Sequence, residues 1–146
     1  MKRGIASIPR DFMAMQFGDP NLDTMVDKWF KSAVKDTGFE LRRVSDAPKA
    51  GLIDNNIRIE IQTSRFVLAD LTHDNHGAYW EAGYAEGLGK PVIYTCEVSK
   101  FTKEKTHFDT NHHHTVTWDF ANPEAVVQAL KATIRATLPD EARLED

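Results

Sequence analysis

The sequence predicts a doubly wound α/β sandwich of the flavodoxin-like or Rossmann-like kind, with five parallel strands in the order 2-1-3-4-5 and helices on both faces. Two observations predict it. Short apolar runs alternate along the chain with stretches whose apolar residues recur every three or four positions. Turn residues separate the two kinds of segment, and parallel strands need such crossover helices between them.

The elements follow in order. Phe12-Met13-Ala14-Met15-Gln16-Phe17 reads as a first strand, ended by Gly18-Asp19-Pro20. Leu22, Met25, Val26, Trp29, Phe30, Ala33 and Val34 then define one amphipathic helix, with Gly38 at its C-cap. Phe39, Leu41 and Val44 alternate as a second strand, followed by a polar loop through Pro48 and Gly51. Ile53, Ile57 and Ile61 mark one face of a second helix, which Asp54 or a neighbour could cap. Phe66-Val67-Leu68-Ala69 is a buried third strand closed by Asp70.

Tyr79 to Leu88 has the Ala/Gly-rich composition of a helix packed tightly on a sheet, and Gly83 and Gly87 read as positions of close approach. Gly89-Lys90-Pro91 breaks that pattern, and Val92 to Cys96 gives a fourth strand. The polar segment from Glu97 to about His112 has no period and reads as a long surface loop. Thr115 to Trp118 is a fifth strand. Pro123 opens a last helix, with Val126, Val127, Leu130 and Ile134 on one face, and Pro139 closes it. Residues 139–146 form an acidic tail expected to fray.

At 146 residues and 41% hydrophobic, the chain fits a single domain, 1–146. A net charge of −4 with scattered basic residues argues against a nucleic-acid partner, because neutralising phosphates needs clustered Lys and Arg. No stretch approaches the roughly 18 apolar residues of a membrane span, and no apolar leader is read near the N-terminus. One cysteine, Cys96, excludes an intrachain disulfide and reads as a small buried hydrophobe. A cytoplasmic protein is the expectation.

Open α/β sheets bind ligands beyond the C-terminal ends of their strands. Glu81 is expected there, in the first turn of the helix that follows the third strand. No phosphate-binding glycine loop or dinucleotide fingerprint follows the first strand. A receiver domain is disfavoured too, because Met15-Gln16-Phe17 stands where acidic residues would be needed.

Ser64-Arg65-Phe66-Val67-Leu68-Ala69-Asp70-Leu71-Thr72, then Tyr79-Trp80-Glu81-Ala82-Gly83-Tyr84-Ala85, then Gly89-Lys90-Pro91-Val92-Ile93, resemble the core signature of the nucleoside 2-deoxyribosyltransferase family. The resemblance spans roughly Phe12 to Trp118 and implies an enzyme acting on an N-glycosidic bond of a nucleoside or nucleotide. Glu81 matches the family nucleophile, which attacks the anomeric carbon and forms a glycosyl-enzyme ester, as in a retaining glycosidase. Water or an incoming base then decides between hydrolysis and transfer. A helix N-terminus would keep the Glu81 carboxylate ionised.

Asp70, Asp74 and Asp54 are the candidate acid partners, and Met15, Gln16, Phe17 and Gly18 form a candidate pocket wall. Asn75 and Gly77 are candidate substrate contacts. The sequence departs from the family pattern at Phe12, where a tyrosine is usual, and at Asn75, where an aspartate is usual. The resemblance also implies a homodimer or larger homo-oligomer, in which Trp29, Phe30 or Trp80 could serve the interface, and requires no cofactor or metal. Two other readings are a TIR-like NAD glycohydrolase using the same glutamate and a catalytically silent nucleotide-binding module.

Tyr79, Trp80 and Tyr84 fit either stacking on a nucleobase or packing in a core or interface. Asp109 and Asn111, in the long loop, fit either contacts to sugar or base or a solvated surface. His112-His113-His114, with His107 nearby, lacks partners at a recognisable metal-ligand spacing.

Overall fold

Val67, Leu68 and Ala69 are wholly buried, as a central strand must be when it is paired on both sides and covered on both faces. The computed structural model of the chain describes residues 8–43, 53–104 and 115–146. Its strands are β1 (Arg10–Ala14), β2 (Glu40–Arg43), β3 (Val67–Asp70), β4 (Val92–Glu97) and β5 (Thr115–Trp118). They form one parallel sheet in the order β2-β1-β3-β4-β5, with Met13 opposite Leu68 and Asp70 opposite Thr95.

The first helical stretch is a continuous rod of α1 (Pro20–Thr24), a π-helical segment (Met25–Phe30) and α2 (Lys31–Asp36), because Met25 and Lys31 keep right-handed helical dihedrals at the junctions. Asp19 starts it by accepting from the N–H groups of Asn21 (2.9 Å) and Leu22 (3.2 Å), with Pro20 at the first helical position. The other helices are α3 (Ile53–Gln62), α4 (His76–Gly87), α5 (Val98–Glu104) and α6 (Pro123–Thr137).

Two apolar layers sandwich the sheet. Leu22, Val26, Phe30 and Val34 of the first rod join Leu130 and Ile134 of α6 over Met13, Leu68 and Ile93. On the opposite face, Ile61 of α3 and Ala78, Ala82 and Ala85 of α4 cover Phe12, Ala14, Val67, Ala69 and Cys96. Alternate residues of β1 and β3 therefore serve opposite layers, as the period of two requires.

Several expectations are corrected. β1 ends at Ala14, so Met15-Gln16-Phe17 belong to the loop. Its pairing stops at Ala14 opposite Ala69, where Asp70 turns β3 by accepting from the Thr72 N–H at 3.0 Å. Residues 98–104 are helical, because the Glu97 carboxylate accepts from the N–H groups of Ser99 (3.0 Å) and Lys100 (3.1 Å) and caps α5. Gly83 and Gly87 face outward, and a Cβ at either would meet nothing within 4 Å.

Residues 139–146 are docked, where fraying was expected. Ala142 is buried, Arg143 N–H donates to Thr37 O at 2.8 Å, and Asp146 pairs with Lys131 and Arg135, each at 2.7 Å. Val44, the loop through Pro48 and Gly51, His107, Asp109, Asn111 and His112 to His114 lie outside the described residues.

Candidate active site

β1 leads into a rod on one face of the sheet and β3 into α4 on the other, so the topological switch point opens between the C-terminal ends of β1 and β3. Two loops meet there. Gly18, at φ +94°, turns the first loop through the left-handed region. The second loop carries Asp74 at φ +53°, its N–H donating to Leu71 O at 3.3 Å.

Side chains tie the two loops together. His73 Nε2 lies 2.8 Å from Asp19 Oδ2, and Asn75 Nδ2 donates to Gln16 Oε1 at 2.5 Å. The first contact and the backbone donors at Asn21 and Leu22 hold the Asp19 carboxyl below its usual range against partial desolvation. Neither tie was legible in the sequence, although Asp19 before Pro20 is a helix-start signal that could have singled Asp19 out.

Asn75 does a second thing. Its Oδ1 accepts from Ala78 N–H at 2.8 Å and starts α4 three residues before the expected Tyr79. Glu81 is consequently the sixth residue of α4, in the second turn and about 8 Å along the axis from the first. The expectation of a first-turn carboxylate kept ionised by the helix end fails, because that field decays within one turn.

The neighbours of Glu81 locate its side chain. Ala78, Ala82 and Ala85 face the sheet, Trp80 lies beneath the Arg58 guanidinium at 5.5 Å, and Tyr84 Oη accepts from Gln62 Nε2 at 2.7 Å. At about 100° per residue, Glu81 falls between the alanine stripe and the Trp80/Tyr84 pair, on the flank of α4 that faces α3. The apolar layer on this face of the sheet includes Phe12, Ala14 and Ile61. Among the described residues Glu81 takes no hydrogen bond and no ion pair, and burial pushes its carboxyl up to about 7.

The other candidates are placed differently. Asp70 is 1% exposed, and its Oδ2 accepts from Thr95 Oγ1 (2.7 Å) and Trp118 Nε1 (2.8 Å). Burial raises its pKa, partly offset by these bonds. With both oxygens engaged it fastens the ends of β3, β4 and β5 and is not presented as an acid. Asp74 is exposed and pairs with Lys100 Nζ at 2.8 Å. The helix α3 contains Asp54, whose side chain lies outside the described residues.

Met15 is buried in the layer beneath α6, which removes it from the pocket wall. Gln16 is half-buried, while Phe17 is 48% exposed with the Arg43 guanidinium 5.7 Å from its ring. Gly77 is exposed, and a Cβ on it would stand 3.0 Å from Asn75 Oδ1, so glycine leaves room for the cap. Trp80 stacks on Tyr84 at 5.3 Å and stays half exposed, as does Tyr79. Phe30 is fully buried, which excludes it from any subunit interface. Cys96 is a buried free thiol.

Clefts of about 570 Å³ along β2, lined by Ile8, Lys35 and Phe39, and about 260 Å³ between β5 and α6 hold none of the predicted site residues. The second is lined by Trp118, whose Nε1 donates to Asp70 Oδ2 at 2.8 Å. Among the described residues no three His, Cys, Asp or Glu side chains could hold a metal ion, and no helix is long and apolar enough to cross a membrane. No protein-family model and no curated protein matches this chain.

Proposed function

We propose that this protein cleaves or transfers the N-glycosidic bond of a nucleoside or nucleotide, with Glu81 as nucleophile. The observation that carries the reading is a half-buried carboxylate beside the switch point that has no partner among the described residues. Asp70 is engaged by Thr95 and Trp118, Asp19 by His73 and Glu86 by Tyr94, and buried Asp11 takes the Arg65 and Phe66 N–H groups on one oxygen, whereas Glu81 takes no hydrogen bond at all among the described residues. A desolvated, unpaired acid is a cost to the fold, and such costs concentrate where chemistry uses them.

In the proposed reaction a Glu81 carboxylate oxygen bonds to the anomeric carbon as the bond from that carbon to the base nitrogen breaks. The electron pair of the broken bond leaves with the base, which takes up a proton from solvent. Water or a second base then attacks the same carbon, gives up its proton to solvent and releases the carboxylate. An apolar surround strengthens the attraction between the ionised carboxylate and the positive charge developing on the sugar. Asp70 is left out of the mechanism. Asp109 and Asn111 enter it as sugar or base contacts through the family resemblance alone.

The same reading expects a cytoplasmic homo-oligomer, with half-exposed Trp80 among the aromatics available to an interface. The test is chromatographic detection of free base after wild type and Glu81→Ala meet a panel of deoxynucleosides, ribonucleosides, their 5′-monophosphates and NAD. Release by wild type and a loss of at least about a thousandfold in Glu81→Ala are expected. Release of nicotinamide from NAD alone would move the assignment to an NAD glycohydrolase, and no release from any member would overturn the enzyme reading.

A further inference from the structure

The Gln16 amide is held in one orientation by a relay of hydrogen bonds that begins at the backbone. Ala78 N–H can only donate, so the atom of Asn75 that meets it at 2.8 Å must be the oxygen. That leaves Asn75 Nδ2 on the other side, where it donates to Gln16 at 2.5 Å, so the Gln16 atom facing Asn75 must in turn be its oxygen. Gln16 therefore carries its NH₂ group away from α4. That group meets Phe17 O at 3.4 Å, beyond the usual range for an N–H···O bond. Two further features keep the relay in place. Gly77 leaves room for Asn75 Oδ1, and the His73–Asp19 contact holds the same pair of loops.

We infer that Gln16 is a donor-only specificity residue at the switch point, presenting N–H to a hydrogen-bond acceptor of the ligand, an oxygen or an unprotonated ring nitrogen of the base. The inference rests on the reading of this edge as a nucleoside site. A base offering N–H at that position would set donor against donor, and a site built to bond one partner discriminates strongly against a ligand that lacks it.

Gln16→Glu and Gln16→Met separate the two ends of the amide. Glutamate keeps an acceptor for Asn75 and removes the donor, whereas methionine removes both at similar volume. KM is measured on the nucleoside that wild type cleaves best, together with hydrogen exchange at the Ala78 amide. Gln16→Glu should raise KM at least about tenfold, the worth of one hydrogen bond, with Ala78 protected as in wild type. Gln16→Met should raise KM and also speed Ala78 exchange. A wild-type KM in Gln16→Glu, or rapid Ala78 exchange in that variant, overturns the inference while leaving the glycosidase reading standing. Absence of base release by wild type removes both.

Discussion

An unpaired carboxyl under an apolar roof binds its proton more tightly in the folded chain than in the unfolded one. For Glu81 the rise runs from 4.5 to about 7, on the order of 3 kcal/mol at full ionisation. Between those values the folded state holds more protons, so the stability linked to Glu81 is present at low pH and is lost as pH rises towards 7. Asp11 adds to the same slope. Burial pushes it up to about 7, although its Oδ1 accepts from Arg65 and Phe66 N–H groups, and its Oδ2 is buried without a partner among the described residues.

A nucleophile must be ionised, so base release should move in the opposite direction, with kcat/KM rising about tenfold per pH unit up to about 7 and then levelling. Urea unfolding at pH 5 and pH 8 should find wild type weaker at pH 8, and Glu81→Gln flatter across the interval, with part of the slope left to Asp11. A kcat/KM that falls through pH 7 would assign Glu81 as the proton donor. The motif made Glu81 legible in the sequence, but its desolvation was not, because that layer is assembled from residues of β1, α3 and α4.

At the scale of the element, α4 shows how a helix start can hide. His76 and Gly77 are poor helix formers, and the sequence pattern begins at Tyr79, whereas the Asn75 cap starts the helix earlier. That shift of three residues moved Glu81 from the first turn to the second, beyond the reach of the helix end, and burial is what raises its pKa. The glycines of α4 misled for a related reason, since composition suggests close packing without saying against what. Gly83 sits mid-helix with open space around its missing Cβ. Gly83→Ala should stabilise the monomer by about 1 kcal/mol, seen as a rise of a few degrees in thermal midpoint. A lowered midpoint would show that the outer face of α4 is covered in solution.

At the scale of the molecule, the docked tail closes one layer of the sandwich. Lys131 is 3% exposed and is held between Asp36 (3.3 Å) and Asp146 (2.7 Å), while Arg65 pairs with Glu141 at 2.5 Å. A chain ending at Leu138 loses Ala142 from the apolar layer and the Arg143-to-Thr37 backbone bond. It should be weaker by on the order of 2 kcal/mol in urea unfolding. An unchanged midpoint would mean that the tail docks without supporting the fold.

The sequence by itself determined the alternation of five strands with helices, because apolar period and turn chemistry are local, and the crossover rule for parallel strands led from that alternation to the order 2-1-3-4-5. Thr115 to Trp118 and the Pro123 start of the last helix are legible to the residue for that reason. Only the tertiary structure decided which acid is engaged and which is left unpaired. Asp70 and Glu81 stand eleven positions apart in one motif, yet Asp70 meets partners 25 and 48 residues away and Glu81 meets none among the described residues. Burial and hydrogen bonding are properties of what folds against a residue, and a linear pattern cannot contain them.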